Sequence, residues 1–511
     1  MPFAPLQLQQ RLQMAVQPVS QPVPIPPPIK GWNTRDQLDA MDPLDAVQLD
    51  NWFPDKNGVY VRNGYQEYAS CGGSTPVWTL AEFDAGSAKK LLAATNGHIY
   101  DVTDPLTVTS LASGLTSDKW QTVNFLGRTF FMNGVDTMKV YDGSTIADAT
   151  FTGVTLSTIV GGWQYQNRLY FWTANSTGFW YAPLNSISGA LTFYDLAAFS
   201  PNGGNMTVMT NFTHDGSNGV NDFAVFMLSS GDALVYFGDD PGLLSAWQLV
   251  GRFRLAPPVN PRAMTTYGGD SFATTFDDHI PLHTVLVALM QGQMPPRSKV
   301  STAVAEAVAD GSDLDGWQAL YYPKGRYLLF NIPQTNGTFQ QHVCNTSLPD
   351  KPWCRFTNQT AYNWAVFDNN LYFGGANGVV YQADTSALDN LGAIQATVQQ
   401  AWNRLESPNR KRVAAVRPII QTSGSLTYEF SVGFDYQPFN IPVPVVTTAY
   451  GSPWNISPWN TSPWSSENSV DVQWRIGGGS GTAVAWGMAL SSSKAASWLR
   501  TDLRVEGGNA F

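Results

Sequence analysis

Charge is scarce in this 511-residue chain: 13% of its residues are Asp, Glu, Lys or Arg, and it has only five histidines and three cysteines. So few thiols exclude a disulfide framework, and they form no metal-ligand set with the histidines at the spacing zinc requires. Cys71, Cys344 and Cys354 read instead as thiols of a reducing compartment. A local bridge between Cys344 and Cys354 is the alternative to two buried thiols. No apolar run approaches the ~20 residues of a membrane-spanning helix. The first residues lack the charged stretch and apolar core of a secretory signal. Basic residues are the scarcer charge, 29 against 39 acidic, and the net −10 repels a phosphate backbone from the average surface.

What is abundant is turn and aromatic chemistry: 45 Gly, 33 Pro, 18 Trp and 20 Tyr. This is the composition of an all-β protein. Three stretches echo one another: Asn124-Phe125-Leu126-Gly127-Arg128-Thr129-Phe130-Phe131, Gln164-Tyr165-Gln166-Asn167-Arg168-Leu169-Tyr170-Phe171 and Val366-Phe367-Asp368-Asn369-Asn370-Leu371-Tyr372-Phe373. Each reads as a hairpin whose two-residue turn is Gly or Asn followed by Arg or Asn, leading into paired aromatics. Phe125 and Tyr165 lie 40 residues apart and Tyr165 and Phe367 lie 202 apart, room for five further steps of similar length. Residues 91–100 match 372–381 in the same way. A recurrence of about 40 to 45 residues with several short strands per step predicts a β-propeller of six to eight blades. A β-sandwich that repeats its turn chemistry is the alternative.

The predicted organisation has four parts. Residues 1–30 are a proline-rich arm, with a short amphipathic helix or disorder over 6–16 and polyproline II over 19–29, which reaches for a neighbouring subunit or stays a flexible leader. Residues 31–74 form a segment that packs on the C-terminal domain, residues 75–390 the propeller, and residues 391–511 a C-terminal β-domain. An insertion is expected near 284–310, where an apolar run precedes Pro295-Pro296 and a stretch of helical spacing. Two strands each are expected within 224–237 and 320–332. The stretch 394–404 alternates or is a short helix, and 410–420 and 499–508 read as strands.

The N-terminal segment carries the most specific phrases: Gly31-Trp32-Asn33-Thr34-Arg35-Asp36, then Ala46-Val47-Gln48-Leu49-Asp50-Asn51-Trp52-Phe53-Pro54, then Arg62-Asn63-Gly64. They predict a polar turn, a short helix-like segment with Ala46, Val47 and Leu49, an aromatic plug and an outward strand. This resembles the opening of the tail nozzle proteins of short-tailed bacteriophages, and Arg417-Pro418 after a Val-rich strand is similar to their C-terminal domain. The resemblance makes Trp32, Arg35, Asp36, Asn51, Trp52, Phe53, Pro54, Arg62, Gly64, Arg417 and Pro418 structural motif residues. It implies a virion tail protein, not an enzyme and without a cofactor, assembled in the host cytoplasm. Six copies would ring the channel below the portal and adaptor protein, extend it for DNA passing without sequence-specific binding, retain packaged DNA and dock fibres or spikes.

No catalytic constellation stands out. His279 and His283 are four apart, but Pro281 breaks the helix that would align them and no zincin glutamate follows. Asp313 and Asp315 lack the remaining ligands of a calcium loop. Asp239-Asp240 and Asp277-Asp278 are strand neighbours that face opposite sides. The basic group Arg404, Arg410, Lys411, Arg412 and Arg417 has no aromatic platform within it, so it reads as an interface or a solvated strand edge. Trp454, Trp459 and Trp464 recur in Ser-Pro-Trp units five residues apart, an extended loop suited to partner contact or to sugar stacking. A carbohydrate-binding or carbohydrate-cleaving propeller is the competing class of function.

Overall fold

The computed structural model describes residues 22–216, 219–424, 426–444 and 469–507. Seven antiparallel strand groups follow one another around a ring, the last two joined through Asp45–Asp50 and Gly392–Gln400 into one larger sheet. Their first strands are Thr79–Asp84, Gln121–Phe125, Ile159–Tyr165, Met206–Gly216, Met264–Tyr267, Gln318–Tyr322 and Asn363–Phe367, which open blades 1 to 7. Each of these strands lies against the neighbouring blades, and Asn363–Phe367 lies against Thr79–Asp84, so the ring is closed. The chain is an all-β protein built on a β-propeller.

The closure uses both ends of the ring's sequence. The outermost strand of blade 7 is Tyr65–Ser70, which pairs antiparallel with Val379–Ala383. Residues assigned from the sequence to the N-terminal segment thus complete the last blade.

The hairpin echoes open blades 2, 3 and 7, with their turns one residue earlier than the sequence suggested. Leu126-Gly127, Gln166-Asn167 and Asp368-Asn369 all have φ between 45° and 68°, and Arg128, Arg168 and Asn370 already belong to the next strand. Two consecutive positive φ values define the turn whose twist matches paired strands. The spacing also differs from five equal steps: four steps separate the hairpins of blades 3 and 7. Blade 4 has strands of 11 and 10 residues, and blade 5 has three strands followed by helices α1 (Leu282–Met290) and α2 (Ser301–Gly311).

Separate apolar layers fill the spaces between blades. Phe83, Trp120, Phe131 and Tyr141 sit between blades 1 and 2, and Tyr170, Phe226, Tyr236 and Trp247 between blades 3 and 4. Fully burying one such ring contributes on the order of 2 to 3 kcal/mol, so these layers supply the main force holding adjacent blades together.

Outside the ring, residues from both ends of the chain build a two-sheet sandwich. One sheet contains Asp45–Asp50, Gly392–Gln400, Val484–Ser492 and Thr427–Phe434. The other contains Trp52–Asp55, Gly58–Val61, Ala496–Gly507 and Lys411–Thr422. Gly392–Gln400 alternates buried and half-exposed residues, as a strand with one covered face must. Trp52, Val416, Trp486, Met488, Trp498 and Leu503 meet in the middle, in a core continuous with that of blades 6 and 7.

Two expectations for the N-terminal residues are corrected. Pro22–Ile25 is a strand paired with 501–504 of its own chain, not a free polyproline segment. Prolines at alternate positions 22 and 24 suit this edge, because their missing N–H groups fall on one side. Asp45–Asp50 is a strand, not helix-like: it is hydrogen-bonded to Gly392–Gln400 and touches blade 6 through Asp50 and Arg355. Residues 1–21 lie outside the described residues.

Candidate functional site

The N-terminal phrases converge on the junction of blades 5 and 6 with the sandwich. Asn33 begins it: its Oδ1 accepts the backbone N–H groups of Arg35 and Asp36, and its Nδ2 donates to Asp36 and Asp45. Arg35 pairs with Asp36 at 2.8 Å and donates to the Arg297 carbonyl. The Arg35 hydrogen bond to Asp36, with help from Asn33, holds the Asp36 carboxyl below its ordinary pKa. Lys299 Nζ meets buried Asp45 at 2.6 Å, while the Lys299 carbonyl accepts from the N–H groups of Thr34 and Arg35. The connector from α1 to α2 is thereby fastened to the motif turn. Its Ser298 in turn binds Asp278 at the edge of blade 5. Burial raises the Asp278 pKa, opposed by these hydrogen bonds.

Trp32 is buried beneath this turn, donates to the Val47 carbonyl at 3.1 Å and meets His342 edge-on. Trp52, Phe53 and Pro54 are also buried. Phe53 packs among Tyr60, Tyr327 and Phe356, and the Pro54 carbonyl accepts from Asn345 of blade 6.

Arg62 is the centre of a second cluster. Its fork takes both oxygens of Asp389 at 2.8 and 2.7 Å, its Nε donates to Asn51 Oδ1, and its remaining N–H groups reach the carbonyls of Asn63 and Thr357. All five donors of the guanidinium are used. Asn51 adds bonds to Thr357 and to the Gln395 carbonyl. Gly64 passes so close to Leu388 that a Cβ would lie 1.9 Å from its carbonyl oxygen.

Arg417 lies in the second sheet, next to Pro418, and shares the buried carboxylate of Asp502 with Arg500, at 2.6 and 3.0 Å. Arg417 and Arg504 both lie over the Trp474 ring, at 4.6 and 4.7 Å. Here the fold supplies the aromatic partner absent from the basic group in sequence. Lys411 is buried, with its ammonium on the carbonyls of Ser407, Asn409 and Thr482, so the group is no continuous open patch. Trp454, Trp459 and Trp464 lie outside the described residues.

The histidines separate. His279 is hydrogen-bonded to His342 at 3.1 Å and stacked between Phe330 and Trp353, while His283 meets His214 at 2.9 Å. Burial pushes the His279 imidazole down to about 3 and His342 well below the ordinary value. Cys344 and Cys354 are buried free thiols. Among the described residues no group of three or more His, Cys, Asp or Glu is arranged to hold a metal ion, and no helix is long and apolar enough to cross a membrane.

A feature without any sequence signal closes one mouth of the propeller axis. Arg262 precedes the first strand of blade 5, and its guanidinium donates to the Trp78 carbonyl and the Thr79 hydroxyl of blade 1, both at 3.0 Å, and to the Trp120 carbonyl before blade 2. Blades 1 and 5 are three steps apart in a ring of seven, so this side chain spans the axis. Lys119, before blade 2, reaches Asp315, before blade 6, in the same manner.

No protein-family model matches the chain, and no curated protein matches it. Solved structures do. The computationally designed Ika8 protein matches with a TM-score of 0.37 at 12% identity, over 66% of this chain and 96% of its own. BBS1N, solved in complex with ARL6DN, matches with a TM-score of 0.39 at 10% identity, over 64% and 99%. YCF48 from Cyanidioschyzon merolae matches with a TM-score of 0.36 at 11% identity, over 63% and 98%.

Proposed function

We propose that the chain is a structural protein of a phage virion that forms the nozzle of a short tail. The observation that carries this reading is the convergence of the nozzle-like phrases. Asn33, Arg35, Asp36, Asn51, Trp52, Phe53, Arg62 and Gly64 all serve the junction that makes propeller and sandwich one piece, as a part under mechanical load requires. Six copies ring a channel that continues the portal and adaptor, with fibres or spikes docked outside. Because Arg262 and Lys119 cross the propeller axis, the DNA path runs between copies, not through any one propeller. A net −10 per copy lets the duplex slide without sticking.

Electron microscopy of the purified protein, with mass spectrometry of the virions it comes from, tests the proposal. Six-fold rings and a place in the tail are expected; a monomer that binds or cleaves bacterial glycans overturns it. Duplex DNA should bind weakly in gel shifts, without steep salt dependence. Tight binding that salt abolishes would refute the sliding channel and point to the basic group from Arg404 to Arg417.

A carbohydrate-binding propeller is the second reading. A cleft of about 360 Å³ favours it, with half-exposed Phe237 beside Tyr165, Gln166, Asp222, Asp239 and Gln248, since an aromatic face among planar polar groups suits a sugar ring.

A further inference from the structure

We propose that the closed axial mouth of the propeller is a binding site for a small oxyanion, a phosphate or carboxylate group held by Arg262 with Lys119 at its rim. The mouth holds an open-sided cavity of about 140 Å³, lined by Arg262, Lys119, Gln121, Asn133, Asn260 and Trp317 among others. At about 30 Å³ per water this is room for a few waters or one small anion.

The case rests on the state of Arg262. A guanidinium has five N–H donors. Three of those on Arg262 are taken, all by neutral oxygens, those of Trp78, Thr79 and Trp120. Two have no protein acceptor among the described residues, and no carboxylate touches the group. The acid that acts on it through space, Asp315, is engaged by Lys119. The contrast with Arg62 is direct, since that buried guanidinium has a carboxylate and five bonds. A cation partly withdrawn from water without a counter-charge in contact is costly. Burial accordingly brings the Arg262 pKa down to about 10. Arg262 is half-buried and lines the cavity.

Gln121 brings a neutral donor to the same cavity, while Asn133 spends both amide hydrogens on the Ser117 carbonyl and Asp136; Lys119 brings a second positive charge over the Trp78 ring. With one acid against two bases, the mouth carries a net positive charge inside an acidic protein. An entering oxyanion accepts the two free guanidinium N–H groups, bonds of the charge-assisted kind. The site does not depend on the tail-nozzle reading.

Calorimetric titration of the full chain tests it, with sodium phosphate and sodium succinate as probes and sodium chloride of equal ionic strength as control. Saturable binding at one site per chain is expected for at least one probe, and which one binds tells phosphate from carboxylate. Arg262→Gln should weaken binding by about tenfold or more and Lys119→Met by severalfold, on the scale of hydrogen bonds to charged groups. If Arg262→Gln does not fold, Lys119→Met still decides, because that side chain is 43% exposed and its loss spares the core. Two results overturn the proposal: no binding beyond the chloride control at about 10 mM probe, or affinity equal to the unmodified protein's in every folded variant.

Discussion

Replacing Arg62 by Met is the sharpest test of the junction. The side chain is 2% exposed and its partner Asp389 12%, so water reaches neither easily. The substitution keeps most of the volume but leaves the Asp389 carboxylate, the Asn51 amide oxygen and the carbonyls of Asn63 and Thr357 without their donor. Breaking a buried pair from one side costs roughly 3 to 5 kcal/mol, because the remaining charge stays buried and unpaired. Asp389→Asn should cost a similar amount from the other side. The double variant Arg62→Met with Asp389→Asn should cost less than the two singles together, by about 1 to 3 kcal/mol, since neither charge is then stranded. Arg62→Lys should recover little, because an ammonium cannot fill a planar fork. Urea unfolding followed by tryptophan fluorescence reads all four. A single-variant cost under about 1 kcal/mol, or additivity within about 0.5 kcal/mol, refutes the account of the cluster as a buried, coupled unit.

Three further outcomes are expected. Trp52→Ala removes a fully buried indole that packs on Trp498 and should cost about 3 to 5 kcal/mol; an unchanged melting temperature would take it out of the core. Gly64→Ala drives a methyl into the Leu388 carbonyl and should cost about 1 to 3 kcal/mol or more, seen in the same urea midpoints; a neutral effect would mean the segments at Gly64 and Leu388 separate freely. The His279–His342 pair makes stability depend on acid. Both imidazoles stay neutral in the fold, while the unfolded chain binds protons near pH 6.5. Their contribution is complete above that pH and falls as the pH drops toward about 3 for His279. His279→Phe, a ring that fits between Phe330 and Trp353, should flatten the decline between pH 6.5 and 4 in unfolding midpoints, and an equal slope would refute the assignment.

The propeller was legible in sequence because its tightest turns need positive φ, which Gly, Asn and Asp supply. The turn position slipped because Leu126 and Gln166 carry no turn signal; the strands around them impose the conformation. The repeat blurred where long strands and helices stretched blades 4 and 5. The segment Asp45–Asp50 misled because Ala46 and Leu49 fall at helical spacing, although both are buried by sheets on either side. At the sites, the motif phrases were visible but their meeting with Asp389, Arg297 and Lys299 was not, since those partners lie more than 200 residues away in sequence. Trp474 beside Arg417, and Arg262 across the axis, left no local trace at all.

The closure of blade 7 by Tyr65–Ser70 sets a timetable for synthesis. Ser70 finds its partner Val379 only after 309 more residues have been made, which at about 5 to 20 residues per second takes roughly 15 to 60 s. Over that interval the strand is an unpaired edge carried by a growing chain. The strand Gly58–Val61 waits longer still, until Ser497 and Trp498 emerge. Ring and sandwich therefore lock within the last quarter of translation, and a ribosome that stops before residue 379 releases a chain in which neither can close.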